Sequence, residues 1–304
     1  MTPDQYLDKI LTAQTFADDA PELGEVRQRR KDIEASLRKH FSKSSPSIRW
    51  GGSMAKHTMI RESYDGDLTC YFPEDEKEAG STLEEIYNNA ATGLSKDYEV
   101  VRKTSALRVK DRATKATKGF AVDLHIDVVP GRYTDAEAED VYIHQEAGTK
   151  ERLKTNLQVH IDHIKDSGVT DTIRLMKLWN CQNGIGAKTF VLELLTVELL
   201  AKKKSLGLSG QLKHVWTQFR DHADALAVED PANPTGNDLK PALDAVRASL
   251  ASVARTTLSA IEQSGWESVF GKIQEEDAAE DRKAALRLAA AHVATPTRPW
   301  CGRG

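Results

Sequence analysis

The stretch "GFAVDLHIDVVPGR", residues 119–132, alternates with a period of two: Phe120, Val122, Leu124, Ile126 and Val128 fall on one face, Asp123, His125 and Asp127 on the other. A half-buried strand of this kind needs a sheet with a core beneath it, and it leaves carboxylates on the face away from that core. A second stretch, "YDGDLTCYF" at residues 64–72, reads as another strand and places Asp65 and Asp67 two apart, hence on one face. Two carboxylates side by side repel unless something positive sits between them, so a bound cation is the simplest reason for the pair.

The residues just before that pair extend the argument. Gly51, Gly52 and Ser53 form a turn of small residues at which backbone amides can approach a phosphate, and "SMAKHTMI" reads as the start of a short helix behind it. Asp65 and Asp67 are hard oxygen ligands of the type magnesium takes while keeping waters and substrate phosphates as its remaining ligands. A pair of magnesium ions holding the attacking and leaving oxygens of an in-line displacement requires a third carboxylate. Asp127 is the first choice for it, ahead of Asp123, because "HIDVVPG" suits a buried strand end at a cleft whereas Asp123, on the same face, would be two rungs away.

The remaining pattern separates a mixed front from a helical back. Residues 21–41 carry Val26, Ile33, Leu37 and Phe41 at helical spacing, and "STLEEIYNNAATGL" opens with Ser81 and Glu84 at capping-box spacing. "YEVVRKTSALRVK" reads as one or two strands. Beyond Pro130 the chain turns to helical periods in "TNLQVHIDHIKDSG", "TDTIRLMKLWNCQNG", "KTFVLELLTVELLAKKK" and "SGQLKHVWTQFRDHADALAV". The reading is α+β, with residues 1–150 as a sheet-bearing catalytic unit, 151–293 as a helical unit that closes the nucleotide cleft, and 294–304 as a mobile tail. His160 and His163, three apart on a helix, have no cysteine or carboxylate nearby in sequence to complete a metal site and read as structural or exposed. Trp179, Trp216 and Trp266 read as inter-helix core.

Composition removes several classes. No apolar run approaches the ~20 residues that cross a bilayer, and the N-terminus lacks the order of a signal peptide, so a cytoplasmic protein without a membrane partner is expected. Cys70, Cys181 and Cys301 are widely spaced and fit neither a disulfide framework nor a zinc cluster. The formal net charge of −4 gives no global attraction to nucleic acid, and the basic runs at 27–31 and 108–118 read as solvated faces.

Gly52-Ser53, Asp65-x-Asp67 and a later strand aspartate before Val-Val-Pro resemble the nucleotidyltransferase superfamily of DNA polymerase beta. The nearest likeness is to the bacterial CD-NTases, which make cyclic oligonucleotides in anti-phage defence, and to the animal oligoadenylate and cyclic GMP-AMP synthases. It extends through Thr58, "LKTNLQVHI" (residues 153–161), "IRLMKLWN" (173–180), "KTFVLELLTVELL" (188–200) and "DPANPTGN" (230–237). The resemblance implies a polymerase-beta-like fold and two magnesium ions. Gly52 and Ser53 would bind the donor triphosphate, Asp65 and Asp67 would hold both ions, and Asp127 would ligate one ion and activate the attacking hydroxyl. Lys177 and Thr189 stand where relatives hold the far phosphates, and Phe190 where an aromatic stacks on the base, although on the residues alone Phe190 reads as core. Two positions depart from the pattern: His57 stands where many relatives have glycine, and Gly66 where an apolar residue is usual.

The implied function is synthesis of a cyclic di- or trinucleotide messenger from nucleoside triphosphates, ATP and GTP foremost, read by a downstream effector and needing no nucleic-acid activator. Rival readings are an RNA-activated linear 2′–5′ oligoadenylate synthase, a nucleotidyltransferase acting on tRNA or protein, and a silent nucleotide-binding regulator. The intact set Asp65, Asp67 and Asp127 speaks against the last. The tail ends in Gly304, and bacterial members of the family commonly end in a small residue that a ubiquitin-like conjugating partner ligates to a target.

Overall fold

Strand β5 (Ile126–Tyr133) lies at the centre of a mixed sheet, with β2 (Gly66–Phe72) parallel to it on one side and β4 (Leu107–Lys110) antiparallel on the other. The computed structural model that shows this describes residues 1–112, 124–147 and 150–273. The sheet order is β1-β2-β5-β4-β3, with β1 at Ser47–Trp50 and β3 at Glu99–Arg102 on the two edges. The far end of β5 pairs with β6 (Val141–His144), which pairs in turn with β7 (Arg152–Thr155).

The sheet therefore runs further than Pro130, where the sequence pattern ends it. Pro130 has no N–H to give a ladder, but it falls where β4 has stopped pairing, at Val128, and β6 has not begun, at Gly131. The strand can pass through it because no bond is lost there.

Leu68, Cys70 and Phe72 of β2 and Ile126 and Val128 of β5 are buried against α2 (Pro21–His40) and α4 (Leu83–Leu94). Helix α2 offers Val26, Ile33 and Leu37 to this core, the face its spacing predicts. Helix α4 is capped one residue later than Ser81 and Glu84 suggest: Thr82 Oγ1 accepts from Glu85 N at 3.1 Å, while the Glu85 carboxylate accepts from Thr82 N at 3.3 Å. Both pairs have the required spacing, and Thr82 is the residue in extended backbone at the first helical turn.

A second core joins α1 (Pro3–Gln14) to α6 (Thr170–Gln182), α7 (Thr189–Leu200), α8 (Leu208–Asp221), α9 (Lys240–Ser264) and the short α10 (Glu267–Phe270). Trp179 and Trp216 are completely buried in it, Trp266 nearly so, with Trp216 ring centroids 5.7 and 5.8 Å from the other two. Helix α1 contributes Tyr6, Leu7, Ile10 and Leu11, and the Tyr6 hydroxyl donates to Gly271 O at 2.5 Å. Helix α5 (Leu157–Lys165), capped by the Asn156 side chain, lies between sheet and helices and touches α3 (Gly52–Lys56) and α7. Among the described residues no helix is long and apolar enough to cross a membrane. Asp123, Cys301, Gly304 and the expected tail at 294–304 lie outside the described residues.

Candidate active site

Register brings the acids together. In the parallel pairing of β2 and β5, Asp67 stands directly beside Asp127, so their side chains leave the sheet on the same face. Asp65 is not on the strand: β2 begins at Gly66, whose N–H donates to His125 O at 3.3 Å, and Asp65 sits in the approach to it. It reaches the group through His125, whose Nε2 lies 3.4 Å from Asp65 Oδ2 and 3.9 Å from Asp127 Oδ1. The His125 imidazole beside it holds the Asp65 carboxyl below its usual range despite burial, which acts the other way.

Asp67 is in the opposite condition. Burial, then the charges of Asp65 and Asp127, push its carboxyl up to about 7, and the cations of Lys56 and Lys177 recover only part of that. No donor among the described residues reaches its carboxylate. Asp127 is fully engaged: Arg108, its cross-strand neighbour on β4, donates from Nε to Oδ1 at 2.9 Å and from a terminal nitrogen to Oδ2 at 3.0 Å.

The small-residue turn lies against the acids. Gly51 N donates to Asp67 O at 2.8 Å, and Gly52 has φ +53 with a Cβ position that would overlap Asp67 Oδ2, so only glycine fits. Ser53 is 7 % exposed and its Oγ has no hydrogen-bond partner among the described residues. A buried hydroxyl without a partner is costly unless a ligand uses it. The two departures from the family pattern have local explanations. A Cβ on Gly66 would strike the Ile126 side chain beneath Trp50, and His57 takes the left-handed conformation, φ 59 and ψ 31, that glycine adopts freely.

Lys177 is buried at 4 % exposure, not on the surface, and donates to Thr58 O at 2.7 Å. Burial, with the like charge of Lys56, holds its ammonium below the usual lysine range against the pull of Glu193 and Asp65. Phe190 lies with its ring 5.5 Å from Lys56 Nζ and 4.8 Å from the His160 ring. Thr189 is exposed at the start of α7 and is tied to the group only through that helix.

Three parts of the site escape a reading of the sequence. Lys56 forms an ion pair with Glu193, which is wholly buried and also accepts from Thr58 Oγ1 at 2.8 Å. A lone glutamate inside "TFVLELL" is the signal that could have found it. Arg108, read as part of a solvated basic run, is the partner of Asp127. His160 does have a carboxylate, supplied from 70 residues away: Asp230 Oδ1 lies 2.6 Å from His160 Nε2, and Asp230 also accepts from Ala232 N and Asn237 Nδ2. The pairing makes His160 structural, while His163 is exposed.

The donor set suits magnesium in kind, since it offers hard oxygens around a buried carboxylate whose raised pKa a divalent cation would reverse. It is not a preformed cage: among the described residues no three His, Cys, Asp or Glu side chains gather as a metal cluster, and Arg108 covers both oxygens of Asp127.

No protein-family model matches the chain, and no curated protein matches it in sequence. Solved structures do match in three dimensions. The CD-NTase CdnG of Bradyrhizobium diazoefficiens, in complex with GTP, superposes with TM-score 0.66 at 13 % identity over 95 % of this chain and 98 % of that one. CdnC of Escherichia coli MS115-1, in a complex with HORMA-deltaN, gives 0.64 at 17 % over 90 % and 98 %. The Vibrio cholerae DncV cyclic AMP-GMP synthase, a prokaryotic cGAS homolog, gives 0.56 at 19 % over 91 % and 83 %. With its mixed sheet, helical side and juxtaposed aspartates, the chain has the polymerase-beta-like nucleotidyltransferase fold of the CD-NTases.

Proposed function

We propose that this chain is a magnesium-dependent nucleotidyltransferase that joins nucleoside triphosphates into a cyclic di- or trinucleotide messenger. The observation that carries the reading is the side-by-side placement of Asp67 and Asp127, with Asp65 linked to them through His125 and the glycine turn that precedes the Ser53 hydroxyl, unpartnered among the described residues, packed against Asp67. The GTP held by CdnG and the activity of DncV, on the same fold, support nucleotide substrates here.

Asp65, Asp67 and Asp127 would hold the magnesium ions, which supply Lewis-acid polarisation of the phosphates and make the attacking hydroxyl more acidic. Ser53 Oγ and the Gly52 turn face the donor triphosphate. Lys177 spends one of its three N–H donors on Thr58 O and keeps two for phosphate oxygens, with Thr189 as the further hydroxyl. Phe190, steadied by His160, offers a ring for the base. Asp127 accepts the proton of the sugar hydroxyl as its oxygen bonds to the α-phosphorus, the bond to the bridging oxygen breaks and pyrophosphate leaves. A second turn of the same chemistry on the linear product closes the ring, with purines as the preferred bases.

The test is incubation of the purified protein with α-labelled ATP, GTP, CTP and UTP and magnesium, followed by phosphatase and chromatography. A phosphatase-resistant product should appear and should fall at least about a thousandfold in Asp65→Ala/Asp67→Ala, the loss expected when metal ligation fails. A phosphatase-sensitive ladder would make the chain a linear oligoadenylate-type synthase, and label on added tRNA or protein would make it a macromolecular nucleotidyltransferase.

The setting we infer is cytoplasmic anti-phage signalling through an effector that reads the product. Conjugation of Gly304 by a ubiquitin-like system belongs to the same reading, and Gly304→Glu should remove conjugate bands from a blot of cells that carry the partner enzymes.

A further inference from the structure

Asp67, Asp127 and Arg108 stand in one row across β2, β5 and β4, each directly beside the next, so their side chains share one face of the sheet. The charges along the row are minus, minus, plus. Arg108 meets Asp127 as a fork, 2.9 and 3.0 Å to the two oxygens, and both side chains are largely shielded, at 26 % and 17 % exposure. Such a bidentate contact takes up both carboxylate oxygens, and a guanidinium keeps its charge at every accessible pH. The chain has thus placed a permanent cation on one of the three aspartates read as metal ligands.

We propose that Arg108 is a built-in competitor for the metal at Asp127. It holds the third carboxylate in line while no ion is present, and it must give up at least one Asp127 oxygen before a divalent cation can be held by all three aspartates. This rests on the reading of Asp65, Asp67 and Asp127 as metal ligands. Without the competitor the same three carboxylates should bind a cation more tightly, because the ion no longer displaces a partner. A purely orienting arginine predicts the reverse, since its loss would let Asp127 swing away.

The measurement is Mn²⁺ binding to the full chain without nucleotide, followed by electron paramagnetic resonance of the free ion at constant pH. Arg108→Ala and Arg108→Gln should each bind Mn²⁺ about three- to tenfold more tightly than wild type, the scale of one partly shielded ion pair. The glutamine keeps most of the stem, so agreement between the two assigns the effect to the charge. Unchanged or weaker binding in both overturns the proposal. Binding that survives in Asp65→Asn/Asp67→Asn overturns the metal-site reading instead, and binding by neither wild type nor Arg108 variants overturns both. A crystal structure of wild-type protein soaked in Mn²⁺ decides without any variant: an ion on all three aspartates with both Arg108 contacts intact defeats the proposal, and an opened fork bears it out.

Discussion

Two carboxylates on either side of the Gly-Ser turn live in opposite circumstances. Glu193, on the helical side, is wholly buried, yet each oxygen has a donor, Lys56 on one and Thr58 on the other. Asp67, on the sheet side, is less deeply placed, accepts no side-chain hydrogen bond among the described residues, and has two other aspartates for company. Burial alone therefore does not set the cost of a carboxylate. The partner set does, and an acid left without one marks the place where a ligand's charge is needed, whereas a satisfied one marks architecture.

The comparison breaks most visibly at Glu193. Glu193→Ala leaves the Lys56 ammonium buried without a counter-charge and should cost about 3–5 kcal/mol in chemical denaturation. An effect below 1 kcal/mol would mean that the pair is not buried in solution. Asp230 is a second satisfied acid: although burial opposes it, hydrogen bonds from His160, Asn237 and Ala232 hold its carboxyl below the usual range. A depressed folded-state pKa contributes stability that is present above the unfolded value and is lost as pH falls through the folded one. Asp230→Asn should therefore cost about 2 kcal/mol at pH 7, and the difference from wild type should close as the pH falls below the usual carboxylate range.

Asp67 should behave the other way. Its carboxyl titrates at about 7 in the folded chain, above its unfolded value, so ionisation works against folding and metal-free stability falls as pH rises from about 4 to 7. In EDTA, Asp67→Asn should gain on the order of 1–2 kcal/mol at pH 8, and that gain should vanish towards pH 4. A variant that loses stability at both values would remove the contrast with Glu193. The smallest effect belongs to His57, held in left-handed backbone: His57→Gly should gain up to about 1 kcal/mol in melts.

The same contrast explains what could be read without coordinates. Asp67 and Asp127 were legible because period-two alternation assigns faces, and the Gly-Ser turn beside them shares their chemistry; Asp65, assigned to the same strand face, lies just before the strand and joins them through His125. Period alone does not say which strands become neighbours. That Asp127 lies between Asp67 and Arg108 depends on sheet order, so a member of a seemingly solvated basic run proved to grip an acid. Lys56 with Glu193 and His160 with Asp230 are pairs separated by 137 and 70 residues, and only the packing of α3 and α5 on the helical side joins them. The strands after Pro130 were missed because a proline normally ends pairing, and here it falls in the gap between two partners.

The bond from Tyr6 to Gly271 places the first helix of the chain in the same core as the last described ones. During synthesis α1 leaves the ribosome ahead of its partners on α6 and α8, and the Gly271 carbonyl that Tyr6 binds follows 265 residues behind it. The sheet core, whose residues fall between Val26 and Val128, can close well before that. Between the completion of β7 and the emergence of Gly271 the nascent chain thus carries a finished sheet with an orphaned amphipathic helix in front of it, and the helical core is sealed only when α1 meets the last described turn.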